Sequence, residues 1–115
     1  MFTIPLFYGK MYIQNEENRS SKMYKFLKNV VALESSLMQS VIKFEGVDQD
    51  MADIYAQDRN DVIRCKELFA AGKINQLNNK LNHLDTHIRE GIVVAFAKDL
   101  GAEWVKNAFG YEVRV

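Results

Sequence analysis

Residues 23–42 read MYKFLKNVVALESSLMQSVI, and this stretch decides the fold class of the chain. Its apolar side chains recur at intervals of three and four residues, which is the spacing of a buried face of an α-helix. The members of this face are Met23, Phe26, Leu27, Val30, Val31, Leu33, Leu37, Met38, Val41 and Ile42. Ser20 or Ser21 can cap the start of the helix, and Gly46 can end it. The pattern therefore predicts a long helix over residues 20–46.

Two further helical patterns follow. Residues 48–71 carry an apolar face that the polar segment AQDRND interrupts. This predicts either one kinked helix or two short helices, the second capped by Asp58 or Asn60. Residues 73–90 carry a narrower, coiled-coil-like seam, formed by Ile74, Leu77, Leu81, Leu84 and Ile88. A seam of this width suits one partner helix, so we expect it to be buried inside the bundle or across a homodimer interface.

The last third of the chain predicts the most buried helix and a short strand. Residues 92–98, IVVAFAK, are apolar almost all round, and Asp99 can cap a last helix that ends at Gly110. Residues 111–115, YEVRV, alternate like a strand, and the aromatic residues 2–13 predict a hairpin or extended arm that could pair with it. We therefore predict one mainly α domain over residues 1–115, a four- to five-helix bundle. A small β element would join the N-terminal arm to the C-terminal strand.

Length and composition fit such a domain. The chain has 115 residues, 48% of them hydrophobic, with one proline and six glycines, which favours helices over a many-turned β architecture. Fifteen basic and fifteen acidic residues leave no net charge. A protein that binds duplex nucleic acid normally carries a basic excess, so this class of partner is disfavoured.

Several features predict a soluble, cytoplasmic protein without a membrane partner. No apolar run approaches the ~20 residues that span a bilayer. The N-terminal residues lack the basic region of a signal peptide. Cys65 is the single cysteine, which excludes an intrachain disulfide and favours a reducing compartment.

Candidate chemical sites each lack a required component. His83, His87 and Glu90 would share one stripe of a continuous helix and form a genuine metal-ligand set. Leu84, however, stands where the zinc-protease motif HEXXH requires glutamate. The acidic residues near position 50 do not form a calcium loop, because its twelfth position is Arg59 instead of glutamate. Cys65 has no identifiable base beside it to activate the thiol as a nucleophile. Since each candidate site is incomplete, we expect the protein to have no metal, no cofactor and no catalytic activity.

A basic stripe is the main indication of nucleic-acid binding. Its members are Arg19, Lys22, Lys25 and Lys28, and the aromatic residues Phe7, Tyr8 and Tyr12 lie nearby in sequence. Surfaces that bind single strands combine these residue types, although a solvated helix face explains the stripe more simply. A helix-turn-helix over residues 64–83 is disfavoured, because bulky Leu68 stands where the two helices must approach closely.

Elimination favours a non-catalytic protein-binding module. We interpret it as a small regulator or inhibitor, of the kind that a phage or mobile element could encode, that acts by occupying a partner protein's surface. The residues expected to bind that partner are Trp104, Tyr111, Phe7, Tyr8 and Tyr12. The seam from Ile74 to Ile88 would mediate any self-association. The alternatives are a nucleic-acid-binding regulator that uses the basic stripe, and a small metal-binding protein or enzyme that uses His83, His87 and Glu90.

Overall fold

A computed structural model describes residues 27–114 of the chain. They form five helices: α1 (Lys28–Phe44), α2 (Gln49–Ala70), α3 (Ile74–Asn82), α4 (Thr86–Leu100) and α5 (Ala102–Phe109). α1 packs against α2 and α4, α2 packs against α3, and α5 packs against α4 and α3. The predicted mainly helical fold is confirmed. None of the helices in residues 27–114 is long and apolar enough to cross a bilayer.

The predicted β element is not found in the described part of the chain. Residues 111–114 contain no strand, and the N-terminal arm lies outside residues 27–114. Tyr111 and Val113 are half-buried against the core, whereas Glu112 and Arg114 are exposed. The alternation that predicted a strand therefore reflects an irregular segment that packs on the helices.

The start of α1 is set by a residue from another helix. α1 begins at Lys28 instead of following Ser20 or Ser21, which lie outside the described residues. The carboxylate of Asp99 accepts hydrogen bonds from the backbone N–H groups of Asn29, at 2.8 and 3.0 Å, and of Val30, at 3.0 Å. It also accepts one from the side-chain amide of Asn29 at 2.7 Å. The backbone N–H groups of Asn29 and Val30 are among those that the first turn of a helix leaves without partners.

The prediction that Asp99 caps the last helix is therefore wrong. It lies in the last turn of α4, and the last helix begins after Gly101. An aspartate near a helix end satisfies whichever N–H groups the packing brings to it. Here the packing of α4 against α1 brings the N–H groups of the first turn of α1 to the Asp99 carboxylate.

α2 is one continuous helix, so Asp58 and Asn60 do not start a second one. Asp48 caps α2, and its side chain accepts a hydrogen bond from the backbone N–H of Met51 at 3.2 Å. Asp58 and Asp61, in the polar segment that interrupts the apolar face, are each only 7% exposed. The polar segment therefore marks buried charges within the helix.

The seam does not lie on one helix. The chain leaves helical geometry between α3 and α4, and Asp85 adopts an extended conformation there. Four asparagines in residues 75–82 make this stretch a weak helix, because their side chains compete for backbone hydrogen bonds. Leu77, Leu81 and Ile88 are buried in the core of this chain. Their burial accounts for the spacing of the seam without a second copy.

The core is centred on α4. Ile92, Val93, Ala95, Phe96 and Ala97 are all buried, whereas Val94 is half-buried and Lys98 is exposed, so the expectation for residues 92–98 is confirmed for five of the seven residues. Phe96 contacts two other rings, with centroids 5.7 Å from that of Phe69 and 6.0 Å from that of Phe109. These aromatic contacts join α2, α4 and α5.

Candidate interaction surface

The structure does not align His83, His87 and Glu90 on one helix, as the alternative metal-binding interpretation requires. His83 follows the end of α3, whereas His87 lies in the first turn of α4, so the helix that would align them is broken. Nδ1 of His83 donates to the carbonyl oxygen of Asn79 at 2.8 Å, and Nε2 of His87 lies 3.2 Å from Asp58 Oδ2. Within residues 27–114, no three or more His, Cys, Asp or Glu side chains are placed to hold a metal ion.

The polar centre of α2 instead connects the helices through ion pairs. Asp61 pairs with Lys80 of α3 at 3.1 Å, and Asp58 contacts His87 of α4. On the opposite side, Glu34 of α1 pairs with Arg59 at 3.6 Å and also with Lys66. A buried carboxylate is tolerated when it is paired in this way. These ion pairs could not be predicted from the sequence pattern, because the partners lie far apart along the chain.

Cys65 is fully buried at the centre of this region. Burial raises the pKa of its thiol to about 12, although the positive charges of Lys80 and Arg64 oppose the rise. A thiol must lose its proton to act as a nucleophile. The structure therefore presents Cys65 as a small apolar core residue.

We expect Cys65 to resist alkylation in the native protein at pH 8. A rise from 9.0 to about 12 lowers the thiolate population at that pH about 1,000-fold, because each pKa unit is a factor of ten, and burial blocks access further. The rate of iodoacetamide labelling, followed by mass spectrometry, checks this. Urea-unfolded protein is the control and should react at the rate of a free thiol. Equal native and unfolded rates would contradict the buried placement.

Two of the predicted partner-binding aromatics, Trp104 and Tyr111, are tied into the fold. Trp104 is half-buried and packs edge-on against Phe69 and Phe109, with ring centroids 5.8 and 5.4 Å apart. The hydroxyl of Tyr111 donates to Asn82, and the guanidinium of Arg89 lies 5.8 Å from the Tyr111 ring centroid. The other members of the patch, Phe7, Tyr8 and Tyr12, lie outside the described residues, as do Arg19, Lys22 and Lys25 of the basic stripe. Lys28, the remaining member of that stripe, is exposed at the start of α1.

A second apolar surface, which the sequence analysis missed, lies on α1. The predicted buried face proves to be two faces, because Val31, Met38 and Ile42 are 36, 37 and 54% exposed. Together with the exposed residues between them they form what we call the uncharged α1 face: Val31, Ala32, Ser35, Ser36, Met38, Gln39 and Ile42. Lys28 and Lys43 are exposed at its two ends. Glu34, the single charged residue in positions 29–42, is half-buried and turned towards α2.

A signal for this face was present in the sequence. Three apolar doublets occur in α1: Val30-Val31, Leu37-Met38 and Val41-Ile42. Adjacent residues of an α-helix point about 100° apart, so both members of a doublet cannot face the centre of one narrow buried stripe. The doublets recur at helical spacing, and thus they indicate a second apolar stripe beside the first.

The exposed stripe has the spacing of a helix-binding seam. Val31, Ser35, Met38 and Ile42 are separated by four, three and four residues. This is the spacing at which one helix packs against a single partner helix. The short side chains of Ala32, Ser35 and Ser36 would allow a partner helix to approach closely.

Comparison with known proteins identified no relative of this chain. No family model matches the chain, and no similar curated protein or solved structure was found.

Proposed function

We propose that the protein is a non-catalytic protein-binding module that engages its partner through the uncharged α1 face. The observation that carries the proposal is an exposed helix face of about three turns, from Val31 to Ile42, that carries no charged residue. Solvated helix faces normally carry charges, whereas the centres of protein interfaces are depleted of them. Three large apolar side chains exposed on one stripe also favour an interaction site.

The spacing of the face favours a helix as the partner's contacting element. Amphipathic helices bind apolar surfaces through residues spaced by three and four positions, and the stripe of α1 presents the same spacing. A regulator or inhibitor would act in this way, by covering a surface that its partner needs for another contact. The lone cysteine Cys65 suits a reducing compartment, and we place this activity in the cytoplasm.

The Met38→Glu variant should lose partner binding. A carboxylate at the centre of the contact must be desolvated without a counter-charge, so we expect affinity to fall about tenfold or more. Met38 is 37% exposed and outside the core, so the variant should keep the melting temperature of the wild type. The measurement is recovery of a reproducible partner from the native host by tagged wild type and variant at equal folded concentration, followed by titration with the purified partner.

Asn107→Glu on α5 is the matched control, because Asn107 is also exposed and the change adds the same charge. It should bind the partner as tightly as the wild type does. Equal binding by Met38→Glu and the wild type would exclude the α1 face. Loss in Tyr111→Ala with retention in Met38→Glu would move the interface to the predicted aromatic patch.

A further inference from the structure

A shallow groove of about 340 Å³ lies between α2 and α3 on the outer surface of the bundle. Its lining residues are Arg64, Leu68, Gln76, Asn79, Lys80 and His83. Three of these side chains are basic, two are amides and one is apolar, and no carboxylate lines the groove within residues 27–114. The groove thus offers many hydrogen-bond donors and a cluster of positive charge.

Helix geometry explains why these residues converge. Arg64 and Leu68 stand four positions apart and share one face of α2. Gln76, Lys80 and His83 follow at intervals of four and three residues along α3 and its end, so they form a matching stripe. The packing of α3 against α2 brings the two stripes to opposite walls of one groove.

The existing contacts leave donors available for a ligand. Lys80 lies 3.1 Å from the largely buried Asp61, and Arg64 lies 3.5 Å from Glu67, but an ammonium has three donors and a guanidinium five. Nδ1 of His83 donates to the Asn79 carbonyl, which holds the ring in place and leaves Nε2 for another partner.

We propose that this groove binds a phosphate group, either as the free ion or as a phosphate monoester. A tetrahedral oxyanion accepts several hydrogen bonds from different directions, which suits basic and amide side chains on two walls better than a planar carboxylate does. Arg64 and Lys80 supply the charge, Gln76 and Asn79 supply neutral donors, and His83 presents Nε2 to the ligand. This inference is independent of the α1 face and does not rest on the proposed function.

The test is a two-dimensional NMR titration of the whole chain with sodium phosphate and with phenyl phosphate, against sodium chloride at matched ionic strength. Saturable shifts should appear at the groove residues with both phosphates and not with chloride. Tighter binding of phenyl phosphate would assign a monoester, and equal affinity would assign the free ion. Both results support the proposal.

Variants then localise the site. Arg64→Gln and His83→Gln should each weaken phosphate binding about tenfold, and both residues are exposed, so circular dichroism should confirm that the fold is kept. Lys98→Gln, an exposed lysine of α4, removes the same charge elsewhere and should bind phosphate as the wild type does. The proposal is overturned if phosphate shifts are non-saturable, or if the two groove variants bind phosphate normally. Binding of a single-stranded oligonucleotide at the groove, with both phosphates inert, would also overturn it.

Discussion

The Leu81→Asp variant should fail to fold. Leu81 has no exposed surface, so the change removes a core side chain, at a cost of roughly 2–5 kcal/mol, and buries an unpaired carboxylate, which costs several kcal/mol more. The sum is comparable with the roughly 5–15 kcal/mol by which a domain of this size is stable. Circular dichroism and thermal melting measure the outcome. We expect loss of the helical signal and of the cooperative transition.

Asn75→Asp is the control, because it introduces the same carboxylate at an exposed position in the first turn of α3. Negative charge is favourable there, so stability should be unchanged or slightly higher. Light scattering with size-exclusion chromatography distinguishes the two possible locations of the seam. A Leu81→Asp protein that stays folded but has half the mass of the wild type would place Leu81 in a homodimer interface and contradict its burial within one chain.

The Asp99→Ala variant should lower the free energy of unfolding by about 2–3 kcal/mol. The carboxylate accepts hydrogen bonds from the backbone of Asn29 and Val30 and from the Asn29 side chain, across 70 positions of sequence. Loss of a capping side chain costs ~0.5–2 kcal/mol, and hydrogen bonds to a charged group contribute ~1.5–3 kcal/mol. Urea denaturation gives the change in stability. Hydrogen exchange at the Asn29 and Val30 amides should quicken, because these groups lose their acceptor.

Asp99→Asn keeps an oxygen acceptor at this position but removes the charge. We therefore expect it to lose less stability than Asp99→Ala. Asn29→Ala removes the side-chain donor alone and should be the mildest of the three variants. Unchanged exchange at Asn29 and Val30 in Asp99→Ala would show that another group caps α1.

The polar residues of α2 show why some of the fold could not be predicted. From sequence, the segment AQDRND indicated a kink or a new helix, because aspartate and asparagine favour helix starts. In the structure, Asp58 and Asp61 remain inside the helix because His87 and Lys80 come from other elements to pair with them. A carboxylate has the same local preferences whether or not such a partner exists.

The uncharged α1 face shows the same limit for the candidate site. The sequence pattern placed Val31, Met38 and Ile42 on the same buried face as Val30 and Leu37. The doublet at Leu37 and Met38 could have shown that there are two stripes. Which stripe is covered depends on where α2 and α4 pack, and the structure buries Leu37 and leaves Met38 exposed.

The sequence by itself determined the helical class, the burial of most of residues 92–97 and the helix end at Gly110, which adopts a φ value of +83°. These features depend on periodicity and backbone preference within a few neighbouring residues. The tertiary structure alone decided the start of α1 at Lys28, the continuity of α2, and which apolar face of α1 meets solvent. Each of these depends on a contact between residues that are distant in sequence, such as Asp99 with Asn29. The local conformational preferences of the residues do not distinguish between the alternative structures at these positions. The packing of the other helices selects one of them.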